Sequence, residues 1–344
     1  MRNKPFARYK KATTTAGGFC PAPPFLARLS LALLLALAGC TAHIPPPLPS
    51  AFHPPIAFAL IGDTPYSAFE AFALDAMIEE MNREDLALVI HVGDITSGRG
   101  PCTDEWLEAR KRQFEKSRHP FILIPGDNEW VDCYRSGFDP MERLKRFREL
   151  FEAGDTSLGE RRITLERQSD SGAAPFREYR EHMRWITANV LFVGVNVQGS
   201  NNNLGRTREM NAEHRSRMAA VFAWLDSSLE LATRRHLAGM LIFAQGDPHF
   251  EGKRKGPDGF AEFRAALRNL ALRFGKPVLF VNGDTHFYKL DQPLLDPATG
   301  EPIGNFTRVI VFGSPQTRWI LGGIDPSSPR VFQLSPVLQP GSGR

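Results

Sequence analysis

The sequence predicts a single α/β domain in which sheets and helices pack as a sandwich rather than as a barrel. Short apolar runs typical of buried strands alternate with segments of helical periodicity, and the chain becomes rich in strands towards its end. Four of the apolar runs end in Gly-Asp, which places polar side chains at the carboxyl edge of a sheet, where α/β proteins bind ligands. No repeat or linker interrupts residues 56–335, so this stretch is predicted to be one domain.

The order of the elements follows from periodicity and from helix-start signals. An apolar run at Ile56–Ile61 predicts the first strand, Thr103 suits the N-cap of a later helix, and Pro140 suits the first turn of another. Residues 152–181 lack periodicity and predict an irregular insertion. The other predicted strands are 86–92, 121–124, 189–196, 237–243, 278–281, 306–312, 318–321 and 331–334. The predicted helices are 68–82, 104–116, 141–151, 211–232 and 258–274.

The overall composition is that of an ordinary globular protein. The 344-residue chain is 42% hydrophobic and 23% charged. Its net charge of +4 is small for this length, and its basic residues are scattered apart from a short run at 253–255, which is typical of a solvated surface. The composition therefore gives no signal for a nucleic-acid partner.

The first forty residues are predicted to be a signal peptide. A basic start precedes an apolar core at 29–38, which is too short to span a membrane. The core ends in Leu-Ala-Gly-Cys40, which resembles the lipobox of bacterial lipoproteins and implies that Cys40 is lipidated; the alternative is a plain signal peptide with an incidental cysteine. Thr41 follows, and the resemblance then implies sorting to the outer membrane. Residues 41–55 are Pro-rich and predict a stiff tether, and 336–344 a short tail. We therefore expect an exported protein of the periplasm or cell envelope, anchored to the membrane by a lipid.

Two cysteines remain within the predicted domain, Cys102 and Cys133. Each follows one of the strand-Gly-Asp units, and an oxidising periplasm favours pairing them in a disulfide that joins two loops beside the predicted site. Two free thiols or a role in metal binding are the alternatives, although the spacing is not that of a metal-binding cysteine pair.

Carboxylate, amide and imidazole side chains follow the ends of several predicted strands. Asp63 and Asp94 end the first two Gly-Asp units, Asn128 lies in Gly-Asp-Asn-Glu-Trp, and Asp284 and His286 lie in Gly-Asp-Thr-His. Such oxygen and nitrogen donors suit divalent Mn, Fe, Zn or Mg. Two such ions that share a bridging carboxylate polarise a phosphoryl oxygen and activate water for in-line attack.

In order and spacing, these units resemble the calcineurin-like metallophosphoesterases over residues 56–290. The blocks Gly-Asp-Thr-Pro-Tyr, Gly-Asp-Asn-Glu-Trp and Gly-Asp-Thr-His resemble a divergent branch of that family. The resemblance implies a four-layer αββα sandwich with two divalent metal ions (Mn, Fe, Mg or Zn). The implied metal ligands are Asp63, Asp94 as the bridging residue, Asn128, Gln245, Asp284 and His286, with Asp247 as the alternative to Gln245 in the fourth block.

The chain departs from the family pattern at several positions. Pro65 stands where the family has a metal-binding His, and Asp284 stands where it has another, which favours Mn or Mg over Zn. Glu129 occupies the position of the family's catalytic His. We predict Asp127 and Glu129 as catalytic carboxylates, and Glu129 can act as the acid for the leaving group if burial raises its pKa.

Some neighbouring residues have two interpretations. His91 lies inside a predicted strand and is predicted to be a core residue. Tyr66 and Trp130 either stack on a substrate ring or pack behind the ligands, and His249 either faces the site or lines a loop. Residues 201–203 are predicted to form a flexible turn.

The predicted function is hydrolysis of phosphomonoesters or phosphodiesters by a metal-dependent phosphoesterase. The predicted partners are a phosphate ester substrate and a membrane reached through the lipid anchor. The alternative is an envelope lipoprotein that keeps the fold, has lost the chemistry and serves in binding or scaffolding. The missing His ligands favour this alternative, whereas Asp or Asn at almost every other ligand position favours the enzyme.

Overall fold

The computed structural model describes residues 55–171, 174–252 and 255–338. The predicted signal peptide, Cys40 and all but the last residue of the predicted tether lie outside the described residues, as does most of the predicted tail. Among the residues that are described, no helix is both long enough and apolar enough to cross a membrane.

The first of two sheets holds the amino-terminal strands. Strands β1, β2 and β3 of this sheet are parallel neighbours, and β11 and β12 extend it in antiparallel pairing on the other side of β1. The parallel strands therefore end at one edge of the sheet, which is the edge predicted to carry the first three ligand blocks. The bounds are β1 Ile56–Ile61, β2 Val89–His91, β3 Phe121–Leu123, β11 Trp319–Ile324 and β12 Phe332–Val337.

The second sheet holds the strands from the middle of the chain, in the order β4-β5-β6-β7-β8-β10-β9. Its central strands β6, β7, β8 and β10 are parallel, and β4, β5 and β9 are antiparallel additions at its two sides. The bounds are β4 Glu166–Arg167, β5 Met183–Thr187, β6 Val190–Gly194, β7 Gly239–Phe243, β8 Val278–Asn282, β9 Lys289–Asp291 and β10 Phe306–Ile310.

Most helices begin at a side chain that caps them. The hydroxyls of Ser67, Thr103 and Thr207 and the carboxylate of Asp139 each accept a hydrogen bond from a backbone N–H in the first turn, as the prediction for Thr103 required. The bounds are α1 Ala68–Met81, α2 Asp104–Phe114, α3 Pro140–Phe151, the single turn α4 Gly199–Asn202, α5 Arg208–Arg234 and α6 Ala261–Phe274.

The two sheets lie face to face with helices outside each, which confirms the four-layer αββα sandwich. Side chains of β1 show the arrangement: Phe58 and Leu60 belong to the apolar core between the sheets, whereas Ala59 and Ile61 pack under α1 and α2. On the far side, α5 and α6 cover the second sheet, with Trp224 buried in that layer.

The structure departs from the sequence-based prediction in the regions that lack a strong apolar pattern. The predicted insertion at 152–181 contains the short strand β4, and β5 was not predicted because its sequence mixes Arg and Thr with apolar residues. A two-residue turn with positive φ at Ala188 and Asn189 joins β5 to β6 as a hairpin. The last strand runs to Val337 rather than ending at 334.

Candidate metal centre

Glycines at the strand ends allow the predicted ligands to approach one another. A Cβ on Gly126 would overlap the Asp94 carboxylate, and a Cβ on Gly283 would overlap the Asp63 carboxylate. At these two Gly-Asp units the glycine therefore makes room for a carboxylate that comes from a different strand.

Several site residues occupy the left-handed region of backbone conformation, which non-glycine residues rarely adopt. The φ angles are 49° at Asp63, 58° at Asp94, 72° at Asp284 and 66° at His286. Each such residue costs roughly 1–3 kcal/mol and persists only where the surrounding structure enforces it, as happens at functional sites. These strained conformations therefore lower the stability of the fold, and they direct the four side chains towards one site.

The hydroxyl of Tyr66 lies at the centre of the site. It donates to Asp94 Oδ2 at 3.0 Å, lies 3.0 Å from His286 Nε2, and accepts from Asn128 Nδ2 at 3.2 Å. Asn128 Nδ2 also donates to Asp94 Oδ2 at 2.9 Å, so three of the predicted ligands meet around this phenol. The sequence suggested that Tyr66 stacks on substrate or packs behind the ligands, and its central position was missed.

A second group of contacts is centred on Asp63. Gln245 Nε2 donates to Asp63 Oδ1 at 3.1 Å, and the backbone N–H of Asp284 lies 3.0 Å from both Asp63 oxygens. His286 Nε2 lies 3.9 Å from Asp63 Oδ1, which links this group to the one around Tyr66. Strand ends from both sheets therefore converge on one site.

Of the two alternatives in the fourth block, Gln245 is the residue that points into the site. The carboxylate of Asp247 instead faces Arg308 Nη1 at 3.5 Å and His249 Nδ1 at 3.4 Å. Asp247 contributes through its backbone, because its N–H donates to Asp284 Oδ2 at 3.1 Å. His249 consequently lies beside the site and contacts the alternative ligand Asp247.

The tautomer of His286 is fixed by a backbone carbonyl. Its Nδ1 lies 2.8 Å from the carbonyl oxygen of Ser314, which can only accept, so Nδ1 carries the proton. The other ring nitrogen, Nε2, then offers a lone pair towards Asp63 and Tyr66. Metal-ligating histidines commonly show this arrangement, in which the second nitrogen donates to a carbonyl or carboxylate.

Burial and mutual repulsion raise the pKa of the clustered carboxyl groups. Burial is the main cause at Asp63 and Asp94, where the neighbouring carboxylates of Asp284 and Asp127 respectively raise the pKa further. Burial likewise raises the pKa of Asp127 and, to a lesser degree, that of Asp284. Burial also raises the pKa of the Tyr66 phenol, which Asp94 reinforces, so the phenol stays protonated. Among the described residues, no Lys or Arg forms an ion pair with Asp63, Asp94 or Asp284, and Asp63 has only His286 at 3.9 Å.

The residues fit divalent cations in kind and in charge. Among the described residues, no three His, Cys, Asp or Glu side chains already surround a common point, and the Tyr66 hydroxyl lies between Asp94 and His286. The donor set nevertheless consists of oxygen donors and one lone-pair nitrogen, which suits Mn, Fe, Mg or Zn. The excess of buried negative charge is what a divalent cation would neutralise.

Asp127 lies at the border of this site. Gly199 approaches it so closely that a Cβ there would lie 2.5 Å from Asp127 Oδ1 and 2.8 Å from Asp284 Oδ1. These two carboxylate oxygens are therefore within about 5 Å of each other. The predicted catalytic Asp127 is thus placed beside the predicted ligands, where it adds to the negative charge.

Glu129 faces backbone amides instead of the open part of the site. It is fully buried; its Oε1 accepts from the N–H of Ile95, and its Oε2 accepts from the N–H of Gly126 at 2.9 Å. Burial raises the pKa of Glu129 to about 7 despite these hydrogen bonds. The contacts tie the loop after β2 to the loop after β3, which gives Glu129 a structural role; its raised pKa meets the condition set for the acid, and that role stays a prediction.

We expect Glu129→Gln to lower the free energy of unfolding by about 1–3 kcal/mol, because the amide group then presents an N–H to one of the two backbone donors. Metal content should be unchanged, and turnover at 25 °C should fall by less than about tenfold, which steady-state kinetics and urea denaturation together measure. A loss of turnover above about a hundredfold at unchanged stability would instead establish Glu129 as the acid.

Other residues of the same loops have supporting roles. His91 is buried, with Nε2 2.8 Å from the carbonyl oxygen of Thr64, and burial lowers its pKa to about 4, as a core histidine requires. Trp130 is fully buried and so packs behind the ligands, out of reach of a substrate. The predicted disulfide between Cys102 and Cys133 is present, and both sulfurs lie within 3.5 Å of the carbonyl oxygen of Asn128.

The sequence-based prediction missed the residues that hold Tyr66 and His286. Glu70 Oε2 accepts from the N–H of Tyr66 at 2.9 Å, and Glu70 Oε1 accepts from the Ser314 hydroxyl at 2.8 Å. A usable signal was present at Glu70, because Ser67 and Glu70 have the spacing of a capping box. Nothing local marks Ser314, which reaches the site only through the fold.

Residues 56–224 match a protein-family model described as calcineurin-like phosphoesterase. Together with the four-layer fold, this match confirms the family predicted from the order of the blocks: residues 56–224 are those of a calcineurin-like phosphoesterase.

A solved structure has a similar fold. A dimetal phosphatase from Danio rerio is similar at 15% identity and a TM-score of 0.51, over 79% of this chain and 93% of that one. PhoD, at 13% identity and a TM-score of 0.44, and a purple acid phosphatase from yellow lupin seeds, at 12% and 0.45, are also similar. The match with PhoD covers 79% of this chain and 59% of PhoD. The match with the purple acid phosphatase covers 81% of this chain and 53% of that protein. A search of curated proteins found no significant match.

Proposed function

We propose that this protein is a divalent-metal-dependent phosphoesterase that hydrolyses phosphomonoesters or phosphodiesters. The observation that carries the proposal is the convergence of Asp63, Asp94, Asp284 and the lone pair of His286 Nε2 at the ends of strands from both sheets. Together these side chains carry more negative charge than the described residues around the buried site neutralise. Strained backbone conformations at several of them hold the side chains in this arrangement.

The site residues would have different roles around the bound substrate. The cations would be held by Asp63, Asp94, Asn128, Gln245, Asp284 and His286. Two divalent cations would supply charge stabilisation for the phosphoryl oxygens and activate water for in-line attack. Tyr66 holds a protonated hydroxyl at the centre of the site, where it can donate to a phosphoryl oxygen.

The test is hydrolysis of p-nitrophenyl phosphate and bis(p-nitrophenyl) phosphate by the purified protein with Mn²⁺, Mg²⁺, Fe²⁺ or Zn²⁺ added separately after chelation. We expect turnover that requires a divalent metal, together with bound metal in elemental analysis of the untreated protein. No turnover with any of the four metals and no bound metal would overturn the proposal and leave the non-catalytic scaffold as the explanation of the fold.

We also propose that the protein is exported to the cell envelope and lipidated at Cys40. The support is the sequence pattern that ends at Cys40 and the disulfide between Cys102 and Cys133, since disulfides persist in oxidising compartments. Incorporation of labelled palmitate into the wild type but not into Cys40→Ala checks the anchor, and labelling of both proteins or of neither would refute it.

A further inference from the structure

A cavity of about 530 Å³ opens beside Asp284. Of the residues that line it, Asp284 is a predicted metal ligand. The volume is in the range of pockets that hold small organic ligands. Residues around the cavity include Arg135, Arg206, His249, Phe260, Asp284 and Thr285. Neither arginine belongs to the predicted ligand blocks.

Arg135 and Arg206 share a single buried carboxylate. Arg135 Nη1 lies 2.6 Å from Asp132 Oδ2, and Arg206 Nη2 lies 2.8 Å from Asp132 Oδ1. The hydroxyl of Ser200 also donates to Asp132 Oδ1, at 2.9 Å. One carboxylate balances one guanidinium, so Arg135, Arg206 and Asp132 together carry a net positive charge, although the Asp127 carboxyl group also acts on Arg135. The arginine side chains remain 34% and 24% exposed, so a ligand can reach them.

The positive group lies next to a predicted metal ligand. A Cβ on Gly98 would lie 2.9 Å from Arg135 Nη1 and 3.0 Å from Asn128 Oδ1, so these two atoms are within about 6 Å of each other. A substrate bound through a phosphoryl group at the metal centre would therefore place its next substituent near the Arg135 guanidinium group. Cations next to a metal site repel the metal, so the arginines do not serve to bind it.

The arginines are held in place by their surroundings. Both guanidinium groups lie over the Tyr134 ring, whose centroid is 5.7 Å from the Arg135 guanidinium carbon and 4.8 Å from that of Arg206. Arg135 Nη1 also donates to the carbonyl oxygen of Gly98 at 3.1 Å, and Arg206 Nη1 donates to that of Val131 at 3.3 Å. Fixed donors lose little freedom when they bind an anion.

The turn that carries Ser200 is strained, and a buried arginine supports it. Residues 200–203 all have positive φ, between 49° and 63°, which makes one turn of left-handed helix. Arg217 is fully buried and donates to Asn202 Oδ1 at 2.6 Å and to the Asn202 carbonyl oxygen at 3.1 Å. The sequence predicted a flexible turn here, whereas these contacts hold it in one conformation.

We propose that Arg135 and Arg206 bind a second anionic group of the substrate, a phosphate or a carboxylate, next to the phosphoryl group that is hydrolysed. The inference rests on the proposed phosphoesterase function and narrows its substrate class to esters with at least two anionic groups. Paired guanidinium groups suit such oxyanions because their N–H donors match the anion in charge and geometry.

The test compares three phosphonates that differ only in their second group: methylphosphonate, phosphonoacetate and methylenebisphosphonate. Each is measured as an inhibitor of p-nitrophenyl phosphate hydrolysis with Mn²⁺, and by calorimetric titration into the Mn²⁺-loaded protein. We expect the wild type to bind one or both of the doubly anionic compounds at least about tenfold more tightly than methylphosphonate. Arg206→Gln should lose about tenfold of that preference while its affinity for methylphosphonate changes by less than about threefold.

Arg208→Gln is the matched control, because it removes the same charge at an exposed position two residues away and should leave all three affinities unchanged. Arg135→Gln and Arg206→Lys, with a thermal melt of each variant, separate loss of binding from loss of folding. Equal weakening of all three compounds in Arg206→Gln, or no preference in the wild type, would overturn the inference. The titration does not require turnover, so an inactive protein that still shows the arginine-dependent preference would refute the proposed function alone.

Discussion

Turnover of p-nitrophenyl phosphate falls by about a thousandfold or more in Asp94→Asn, which we expect to be the largest effect of any single substitution in this protein. Asp94 is the carboxylate predicted to be shared by both cations, and it also accepts from the backbone N–H of Asn128 at 3.1 Å. The amide keeps the shape of the side chain but removes its charge, so the variant should bind metal weakly. Steady-state kinetics and elemental analysis of the same preparation measure both effects.

Asp226→Asn is the control for this substitution, since Asp226 lies on α5 with its side chain 65% exposed and forms a surface ion pair with Arg273. Its turnover should match the wild type. Turnover of Asp94→Asn within about tenfold of the wild type would contradict the role given to Asp94 in the metal centre, whatever the control shows.

The second large effect is the change of the free energy of unfolding with pH in the metal-free protein. The folded-state pKa values of Asp63, Asp94 and Asp127 lie well above those of unfolded Asp, and that of Glu129 is about 7. A raised carboxyl pKa contributes stability that is fully present below the unfolded pKa, near 4, and is lost as pH rises through the folded pKa. Glu129 alone corresponds to roughly 3 kcal/mol over that window.

Buried histidines act in the opposite direction at acid pH. Burial lowers the pKa of His91 and of His182 to about 4, so their contribution is lost as pH falls from about 6.5 towards 4. A comparison with Asp94→Asn cancels this contribution, because both histidines are present in both proteins. We expect the unfolding free energy of Asp94→Asn, measured in urea with EDTA, to increase relative to that of the wild type as pH rises from 5 to 8.5.

Metal should reverse this dependence in the wild type. A cation competes with protons for the same carboxylates, so Mn²⁺ should stabilise the protein more at pH 8 than at pH 5, and should stabilise Asp94→Asn far less. The same urea titrations with and without Mn²⁺ provide the measurement. Stabilisation that is equal at both pH values, or larger at pH 5, would show that these carboxylates do not bind the metal.

The fold and the positions of most site residues could be predicted because their signals are local. An apolar run followed by Gly-Asp is visible in the sequence, and parallel strands bring such ends together at one edge. The prediction therefore placed Asp63, Asp94, Asn128 and Asp284 correctly at the ends of their strands, although their roles as ligands are still predictions. The exact ends of the strands differ, since pairing with neighbours decides where a strand stops.

The remaining parts of the site depend on contacts between distant segments. Arg135 and Arg206 look like ordinary surface residues in the sequence, and only the fold brings both to Asp132. Tyr66 reaches the centre of the site because His286, 220 positions later, lies beside its hydroxyl. For Glu129, the position in the block suggested an acid, but the side-chain direction depends on backbone donors that periodicity does not reveal.

The disulfide between Cys102 and Cys133 has a practical consequence for how this protein is prepared. Its sulfurs pack against the backbone of Asn128, so the covalent link and a predicted metal ligand share one loop. Protein produced in a reducing cytoplasm would lack this link and leave that loop less constrained. Activity and metal content should therefore be compared between oxidised and reduced material. A low metal content in the reduced protein would reflect the missing disulfide and not the metal affinity of the native protein.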